Sequence, residues 1–304
     1  MNVFVTGATG SIGSHLCEEL IRRGYQVFGL SRSGRTSNIK PLLQRKHFCL
    51  QVGDIWDVEV MSDIIKNNHI EAIVHLAARL PNDSNLDNPF LYLDINARGT
   101  LNILHAAYLN GVDKFIYSST MSVYSEPPQY LPVDESHPVQ PPTIYGVSKL
   151  VGELYCNLYS KAMNIVVLRY SGVYGRGERK SNAIPTFINQ ALHNKPITIY
   201  GDGTQTSDFV YIDDVVQGTL LAWENNKPGV YNIGSDQEIS VRELAKRIIN
   251  ITNSKSEAVL TDRDTERPFR FFLDITKAHK VLGYSPRSLD EGLLTYLKEF
   301  NVEV

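Results

Sequence analysis

The chain has 304 residues, of which 42% are hydrophobic and 21% are charged, and its formal net charge at pH 7 is −3. This length can form one large domain or two modest ones. The small net charge gives no electrostatic reason to expect a nucleic acid or a membrane surface as a partner. We expect no transmembrane helix, because the sequence has no run of about 20 apolar residues.

The three cysteines, Cys17, Cys49 and Cys156, are odd in number and far apart, without metal-ligand spacing. We therefore expect reduced packing residues, as in a cytoplasmic protein. The first predicted strand begins at residue 2, which leaves no space for a signal peptide and agrees with that localisation.

A glycine-rich turn follows this first strand. Val3–Val5 is typical of a strand buried on both faces, Gly7, Gly10 and Gly13 follow at three-residue spacing, and a helical pattern begins at Ile12. Glycines here free the turn and let a phosphate approach bare backbone, while the helix N-terminus favours a pyrophosphate. The sequence therefore predicts a dinucleotide site. The expected cofactor contacts on this turn are Gly7, Thr9, Gly10, Ser11, Ile12 and Gly13.

Strands and helices then alternate over the first 170 residues. Further strands are predicted at Gln26–Ser31, Phe48–Val52, Ala72–Ala77, Lys114–Ser118 and Ile165–Arg169. Helices are predicted at Asp57–Asn68, Pro89–Asn110 and Tyr145–Met163. This alternation indicates an α/β fold with a doubly wound parallel sheet, which binds ligands at the carboxyl ends of its strands.

Beyond Tyr170 the alternation loosens. Short strands are predicted at Ile197–Tyr200 and Val230–Ile233, and helices at Ile184–His193 and Val241–Ile251. We expect a dinucleotide-binding domain over 1–170 and a smaller C-terminal region over 171–304 that mainly binds the substrate. Segment 208–233 is expected to return to the first domain.

A tyrosine and a lysine, Tyr145 and Lys149, are spaced to lie one turn apart on one helix face. A tyrosine pKa near 10 is too high for a base at neutral pH, and a nearby ammonium favours the phenolate. We expect Tyr145 to be the acid/base and Lys149 to lower its pKa. An exposed helix pair is the alternative; the glycine turn and the hydroxyl-rich end of the fifth strand favour catalysis.

The stretch from Tyr117 to Tyr124, Tyr-Ser-Ser-Thr-Met-Ser-Val-Tyr, completes a resemblance. With the glycine spacing and the Tyr145–Lys149 pair, the whole chain resembles the extended short-chain dehydrogenases/reductases, specifically the nucleotide-sugar epimerase/dehydratase family with its Rossmann-type fold. Those enzymes carry Ser or Thr three residues before a Val-Tyr pair, which here is Thr120. The resemblance implies that this hydroxyl binds the reacting oxygen of a nucleoside-diphosphate sugar.

The resemblance also implies contacts outside these motifs. For the cofactor they are Arg32, Asp54, Ile55, Leu76, Ala77, Ala78 and Asn96, in addition to Tyr145 and Lys149. For the substrate they are Thr120, Arg176, Asn182, Tyr200, Ser207 and Arg270, with Arg267 as further charge. Ser207 departs from the family, which often has an arginine on the diphosphate there, and Gly172 replaces a frequent asparagine. For His75 a structural role stays open beside a functional one.

The predicted second strand ends at Ser31 without an acid, and Arg32 and Arg35 follow. Sites that select NAD place an acid there for the ribose diol, whereas NADP sites use arginine. The pattern looks like that of NADP-dependent GDP-mannose dehydratases. It therefore favours NADP(H), with NAD(H) as the alternative if both arginines point into solvent.

Two residues bear on the reaction. Met121 and Ser122 stand where dehydrating relatives carry Asp-Glu, which disfavours a 4,6-dehydratase, because elimination needs its own acid and base. Hydride transfer at sugar C4 remains. The favoured reaction is reduction of a 4-keto-6-deoxy nucleotide sugar by NADPH, and the alternative is a 4-epimerase of the UDP-glucose or UDP-N-acetylglucosamine type. A non-catalytic NAD(P) sensor is disfavoured, because it needs no Thr120, Tyr145 and Lys149 together.

We also expect a homodimer, because relatives pair the helices that begin here near Pro89 and Tyr145 into an intermolecular four-helix bundle. Apolar residues at helical spacing are available for it at Leu101, Leu104, Val147, Val151, Leu154 and Leu158. The alternative is that they face the sheet.

Overall fold

The computed structural model describes residues 1–34, 36–81, 88–178, 181–261 and 270–300. The strands are β1 (Asn2–Thr6), β2 (Gln26–Ser31), β3 (Phe48–Val52), β4 (Ala72–His75), β5 (Lys114–Thr120), β6 (Asn164–Tyr170), β7 (Gly172–Tyr174), β8 (Ile197–Tyr200), β9 (Thr206–Ser207), β10 (Phe209–Tyr211), β11 (Gly229–Ile233), β12 (Ile239–Ser240) and β13 (Ala258–Thr261). The helices are α1 (Ser11–Arg22), α2 (Val58–Asn67), α3 (Phe90–Tyr92), α4 (Gly99–Leu109), α5 (Ile144–Tyr159), α6 (Ala183–Leu192), α7 (Ile212–Asn225), α8 (Val241–Ile251), α9 (Thr276–Leu282) and α10 (Leu289–Lys298).

The central sheet has seven parallel strands in the order β11-β6-β5-β4-β1-β2-β3. From β1 the chain winds outward through β2 and β3, then crosses back to place β4 on the other side of β1. This reversal is the topological switch point at which doubly wound sheets bind ligands. The predicted Rossmann-type α/β fold is confirmed.

Both faces of the sheet are covered. Val3 and Val5 of β1 join one apolar cluster with Leu16 of α1, whereas Phe4 between them joins a second cluster with Met61 of α2. A strand buried on both faces needs apolar residues at every position, which explains why β1 shows no polar alternation.

A third apolar cluster lies in the C-terminal part of the chain, where α6, α8 and α10 bring together Ile188, Leu244 and Leu293. Through β11, which pairs with β6, segment 208–233 sends a strand back to the central sheet. The division into a dinucleotide-binding domain over 1–170 and a substrate-binding region over 171–304 stays a prediction. Across the described ranges, no helix is both long and apolar enough to cross a membrane.

One predicted element differs from the structure. The pattern over Pro89–Asn110 predicts a single helix, but the chain forms α3, a π-helical stretch at Leu93–Arg98 and then α4. Inside the π-helical stretch, Asn96 accepts a hydrogen bond from the Arg79 amide at 2.7 Å and donates one to Ser148 Oγ at 2.9 Å. Such local widening of a helix commonly re-aims a side chain at a functional region.

A buried ion pair joins α5 to β6. Arg169 donates to both carboxylate oxygens of Glu153, at 3.0 and 2.6 Å, and the two side chains are only 6% and 7% exposed. Ser119 Oγ also donates to Glu153, and the Arg169 guanidinium donates to Tyr124 Oη at 3.0 Å. With these partners both buried charges are hydrogen-bonded, as burial requires.

Arg169→Met should lower the free energy of unfolding by about 3–5 kcal/mol, because it leaves the Glu153 carboxylate buried without its cation. The control is Arg22→Met, which breaks the pair with Glu19 on α1, where Arg22 is 71% exposed. That change should cost less than about 1 kcal/mol. Urea denaturation measures the free energy of unfolding of both variants. An equal loss in the two would show that burial of the Arg169–Glu153 pair does not increase its contribution to stability.

Candidate active site

The turn between β1 and α1 is packed through close backbone contacts. Gly7 has a φ of +69°, and a Cβ built on it would lie 2.8 Å from the Ala77 amide nitrogen. A Cβ on Gly13 would lie 2.2 Å from the Gly7 carbonyl oxygen. The N-cap residue of α1, Gly10, has no side chain to cap the helix, so the first amides of α1 stay available for an anion.

A cleft of about 780 Å³ runs along the carboxyl ends of the strands beside this turn. Sixteen of the predicted site residues line it: Gly7, Thr9, Gly10, Ser11, Ile12, Gly13, Arg32, Asp54, Ile55, Leu76, Ala77, Ala78, Thr120, Tyr145, Lys149 and Asn182. Asn96 is fully buried behind the cleft wall and holds Arg79, which does line it. The cleft therefore connects the glycine turn with the predicted catalytic residues.

Tyr145 and Lys149 are presented to the cleft by the first turns of α5. Thr143 caps this helix by accepting a hydrogen bond from the Gly146 amide at 3.1 Å. Burial raises the pKa of Tyr145 to about 12, and it lowers the pKa of Lys149 to about 7. From the sequence we expect Lys149 to lower the pKa of Tyr145. In the structure the desolvation of Tyr145 has the larger effect, and the pKa rises.

Thr120 ends β5 and serves two purposes. Its Oγ1 accepts a hydrogen bond from the Ser122 amide at 3.2 Å, which caps the short 3₁₀ turn Met121–Val123. The same hydroxyl hydrogen-bonds Tyr145 and moderates the rise of the tyrosine pKa. The capping role considered from the sequence and the contact with the phenol therefore coexist.

His75 lies beneath the cleft, not in it. Its ring nitrogens hydrogen-bond Thr6 Oγ1 at 2.7 Å and Thr100 Oγ1 at 3.0 Å. Burial, and then the charge of Lys149, lowers the pKa of His75 to about 3. A histidine held neutral between two hydroxyls agrees with the structural role.

The wall at the other end of the cleft is formed by the end of β2 and the residues after it, namely Leu30, Ser31, Arg32, Ser33 and Asn38. Ser31 is 2% exposed, and its Oγ has no hydrogen-bond partner among the described residues. A buried, unsatisfied hydroxyl on a cleft wall indicates a polar ligand atom. Arg35, predicted to assist Arg32, lies outside the described residues.

Arg176, predicted to bind the substrate, points elsewhere. Its guanidinium donates to His15 Nε2 at 3.1 Å and reaches Glu18 at 3.5 Å, on the outer side of α1. Its carbonyl accepts a hydrogen bond from Ser11 Oγ at 2.8 Å. Two polar partners on α1 hold the guanidinium away from the cleft lining, and its substrate contact stays a prediction.

Three further predicted substrate residues lie outside the cleft lining. Tyr200 lies on β8, Ser207 pairs with Ile239 in the two-stranded β9–β12 sheet, and Arg270 makes a two-pronged contact with Glu238 at 2.6 and 2.5 Å. Their substrate contacts stay predictions. Arg267 lies outside the described residues.

Sequence reasoning missed Glu178, which lines the cleft beside Asn182. Its carboxylate accepts hydrogen bonds from the Gly175 amide at 3.0 Å and from Asn182 Nδ2 at 3.1 Å, and burial raises its pKa. A glutamate after a glycine turn is typical of a solvated loop, so the sequence indicates this residue only weakly. Its three-residue spacing from Gly175, as in an acid that caps a turn, was the available signal.

The chain is similar to several known proteins. The family model described as NAD dependent epimerase/dehydratase family matches residues 3–234. A putative UDP-glucose 4-epimerase of Methanocaldococcus jannaschii is 38% identical over 302 residues, covering 96% of this chain and 95% of the relative. The UDP-glucose 4-epimerase of Thermotoga maritima, solved with UDP-glucose, superposes with a TM-score of 0.89 at 32% identity over 99% of each chain. The UDP-glucuronic acid 4-epimerase of Bacillus cereus, solved with UDP-glucuronic acid and NAD, gives 0.87 at 36% identity over 99% of this chain and 100% of that one.

Proposed function

The chain belongs to the NAD dependent epimerase/dehydratase family, and we propose that it is a nucleoside-diphosphate-hexose 4-epimerase. The observation that carries the proposal is that Thr120, Tyr145 and Lys149 line one cleft with the glycine turn. The similar proteins named above are 4-epimerases of UDP-glucose and UDP-glucuronic acid. The reductase expected from the sequence becomes the second candidate.

The residues present fit a nicotinamide dinucleotide. Gly7, Gly10 and Gly13 leave bare backbone at the uncapped end of α1, where a pyrophosphate can approach. At the adenine end, Ser31 offers its unsatisfied hydroxyl, and Asp54 and Ile55 complete the wall. When bound, the nicotinamide supplies the acceptor and donor of hydride at C4 of the sugar.

In this proposal the chain's own side chains handle the proton. Tyr145 takes the proton from the C4 hydroxyl as the C–H hydride departs, and it returns that proton after the 4-keto sugar has presented its other face. Thr120 holds the same oxygen, and its hydrogen bond to Tyr145 keeps the two hydroxyls together. Lys149 stabilises the phenolate, which burial alone disfavours.

The residues after Thr120 argue against dehydration. Met121 packs against the apolar cluster beneath α1, and Ser122 Oγ lies 3.3 Å from Thr120 Oγ1. Neither side chain ionises near neutral pH, so these two positions do not supply the acid and base that elimination across C5 and C6 requires.

We also propose a homodimer formed through α4 and α5. On α5, Val147, Leu154 and Leu158 are 47%, 57% and 70% exposed, an apolar face of the kind that marks an interaction surface. Leu104 of α4 is instead fully buried toward the sheet, so the expectation that it forms part of this surface was wrong. Leu101 and Val151 are half-buried at its border.

The function is tested by incubating the purified protein with UDP-glucose, UDP-N-acetylglucosamine or UDP-glucuronic acid and no added cofactor. We expect at least one to be interconverted with its C4 epimer. Tyr145→Phe should lower kcat by about 10²–10⁴ while cofactor stays bound, because the proton carrier alone is lost. Tyr159→Phe on the same helix is the control and should keep wild-type turnover.

A different result identifies the second candidate. If no epimer forms, and NADPH is oxidised in the presence of a 4-keto-6-deoxy nucleotide sugar, the protein is a reductase. The specific observation in favour of that outcome is the acid-free end of β2, with Ser31 and Arg32 on the cleft wall.

The same wall predicts NADP(H) as the preferred dinucleotide, although the Bacillus cereus relative was solved with NAD. Arg32→Asp should reverse the preference toward NAD by more than about tenfold, because it replaces a cation suited to the 2′-phosphate with an acid suited to the ribose diol. Calorimetric titration with both dinucleotides measures the ratio, and Arg22→Asp on the exposed side of α1 controls for net charge. Wild-type protein that binds NAD tenfold more tightly would contradict the prediction.

Leu154→Glu should convert the proposed dimer to a monomer, because it places a charge in the centre of the apolar face. Light scattering at micromolar concentration measures the mass of each variant. Val281→Glu, at a 39% exposed position on α9, is the control and should remain dimeric. A monomeric wild-type protein at this concentration would refute the dimer.

A further inference from the structure

The ammonium of Lys149 lies over an aromatic face. Its Nζ is 4.3 Å from the centre of the Tyr117 ring, and the two side chains are 1% and 0% exposed. A cation over the face of an aromatic ring is attracted by the ring quadrupole, most strongly where water is excluded. Lys149 also lines the cleft, so this contact is made by the side chain that is proposed to serve the reaction.

The ring of Tyr117 is fixed from three sides. Its hydroxyl donates to the Lys149 carbonyl at 3.2 Å, and it occupies the space left by Gly152, where a Cβ would lie 2.1 Å from that oxygen. Behind it, the imidazole of His75 stacks at 5.9 Å with an interplanar angle of 20°. The ring therefore cannot tilt away from the lysine without disturbing both α5 and β4.

The other ionisable groups near Lys149 do little to stabilise its protonated form. On α5, Glu153 favours the ammonium but is already bound by Arg169, and burial raises the pKa of the Cys156 thiol, which keeps it neutral. On β4, His75 is neutral. Burial raises the pKa values of Tyr145 and, on β5, Tyr117, so both stay phenols. The ring face lies 4.3 Å from the ammonium, close enough to offset part of the desolvation that lowers the pKa of Lys149 to about 7.

We propose that Tyr117 is a positioning residue whose ring face holds the Lys149 ammonium, protonated, beside Tyr145, while its hydroxyl only fixes the ring. The inference rests on the role proposed above for Tyr145 and Lys149. It assigns to the fifth strand a second contribution to the site, three residues before the strand end that carries Thr120.

The test distinguishes the contributions of the Tyr117 ring, of its hydroxyl and of its packing in the core. Tyr117→Phe keeps the ring, Tyr117→Leu removes it, and Phe115→Leu is the packing control, because Phe115 is also fully buried in the same apolar cluster two residues earlier on β5. Pentafluorophenylalanine at position 117 keeps the shape of phenylalanine but removes the negative ring face, which covers the case that Tyr117→Leu does not fold.

The first measurement is competitive acetylation of Lys149 as a function of pH, read by peptide mass spectrometry, because only the neutral amine reacts. Loss of the ring face should move the Lys149 midpoint about one pH unit lower, a tenfold change in protonation equilibrium, whereas Tyr117→Phe should match wild type. The second is the pH profile of kcat/KM. With less ammonium to favour the phenolate, its rise should move to higher pH, and activity at pH 7 should fall about tenfold.

Three results would overturn the inference: Tyr117→Phe behaving as Tyr117→Leu, Phe115→Leu shifting the midpoint equally, or the fluorinated ring titrating as phenylalanine does. The acetylation measurement needs no substrate. If 4-epimerase activity is absent but the midpoint shifts as expected, the proposed reaction fails and the role of Tyr117 stands.

Discussion

The site depends on the close backbone packing of the glycine turn between β1 and α1. The Gly7 carbonyl accepts a hydrogen bond from the Gly10 amide at 2.9 Å and touches Gly13 in the first turn of α1, while Gly7 itself lies against Ala77 after β4. Any Cβ at Gly7 or Gly13 would separate the strand from the helix and lift the amides of α1 away from the cleft. The parallel register then fixes the neighbouring strands, since Thr6 pairs with His75 and His75 pairs with Tyr117. One row of residues across three strands thus forms the floor beneath Lys149.

The parts of this arrangement that could be predicted from the sequence are those encoded by short spacing. Alternating apolar runs predict the strand and helix order, and the bounds predicted for β2, β3 and α8 agree with the structure residue by residue. Four-residue spacing places Tyr145 and Lys149 on one helix face.

The features that could not be predicted depend on partners that are distant in sequence. The hydrogen bonds of Asn96 reach Arg79 and Ser148, and the guanidinium of Arg176 reaches residues about 160 positions earlier. The pKa of Tyr145 likewise follows from burial, which no spacing specifies.

The glycine turn and the predicted diphosphate site offer different kinds of binding group. At the glycine turn the binding groups are backbone amides, already oriented and free of side-chain competitors. At the predicted diphosphate end, the guanidinium of Arg270 is engaged by both oxygens of Glu238, whose carboxylate also accepts from Thr206, and Ser207 supplies no charge. A diphosphate that uses Arg270 must compete with a carboxylate for it. In the proposed site Ser207 adds no positive charge for a diphosphate, so we expect shape and hydroxyl contacts to contribute more to substrate recognition.

Helix α5 has an inverted distribution of polarity, which links the proposed catalytic pair to the proposed dimer. Its buried face carries Tyr145, Ser148, Lys149 and Glu153, whereas the face toward solvent carries apolar residues such as Leu158. A surface helix ordinarily does the reverse. Each polar group on the inner face must then find a partner in the sheet, and the hydrogen bonds of Ser148 to Asn96 and of Glu153 to Arg169 and Ser119 meet that demand. In the proposed dimer, a second copy would cover the exposed apolar residues of the outer face and hold the helix rigid. The geometry of the Tyr145–Lys149 pair and the proposed dimer both follow from one helix packed with its polar side inward.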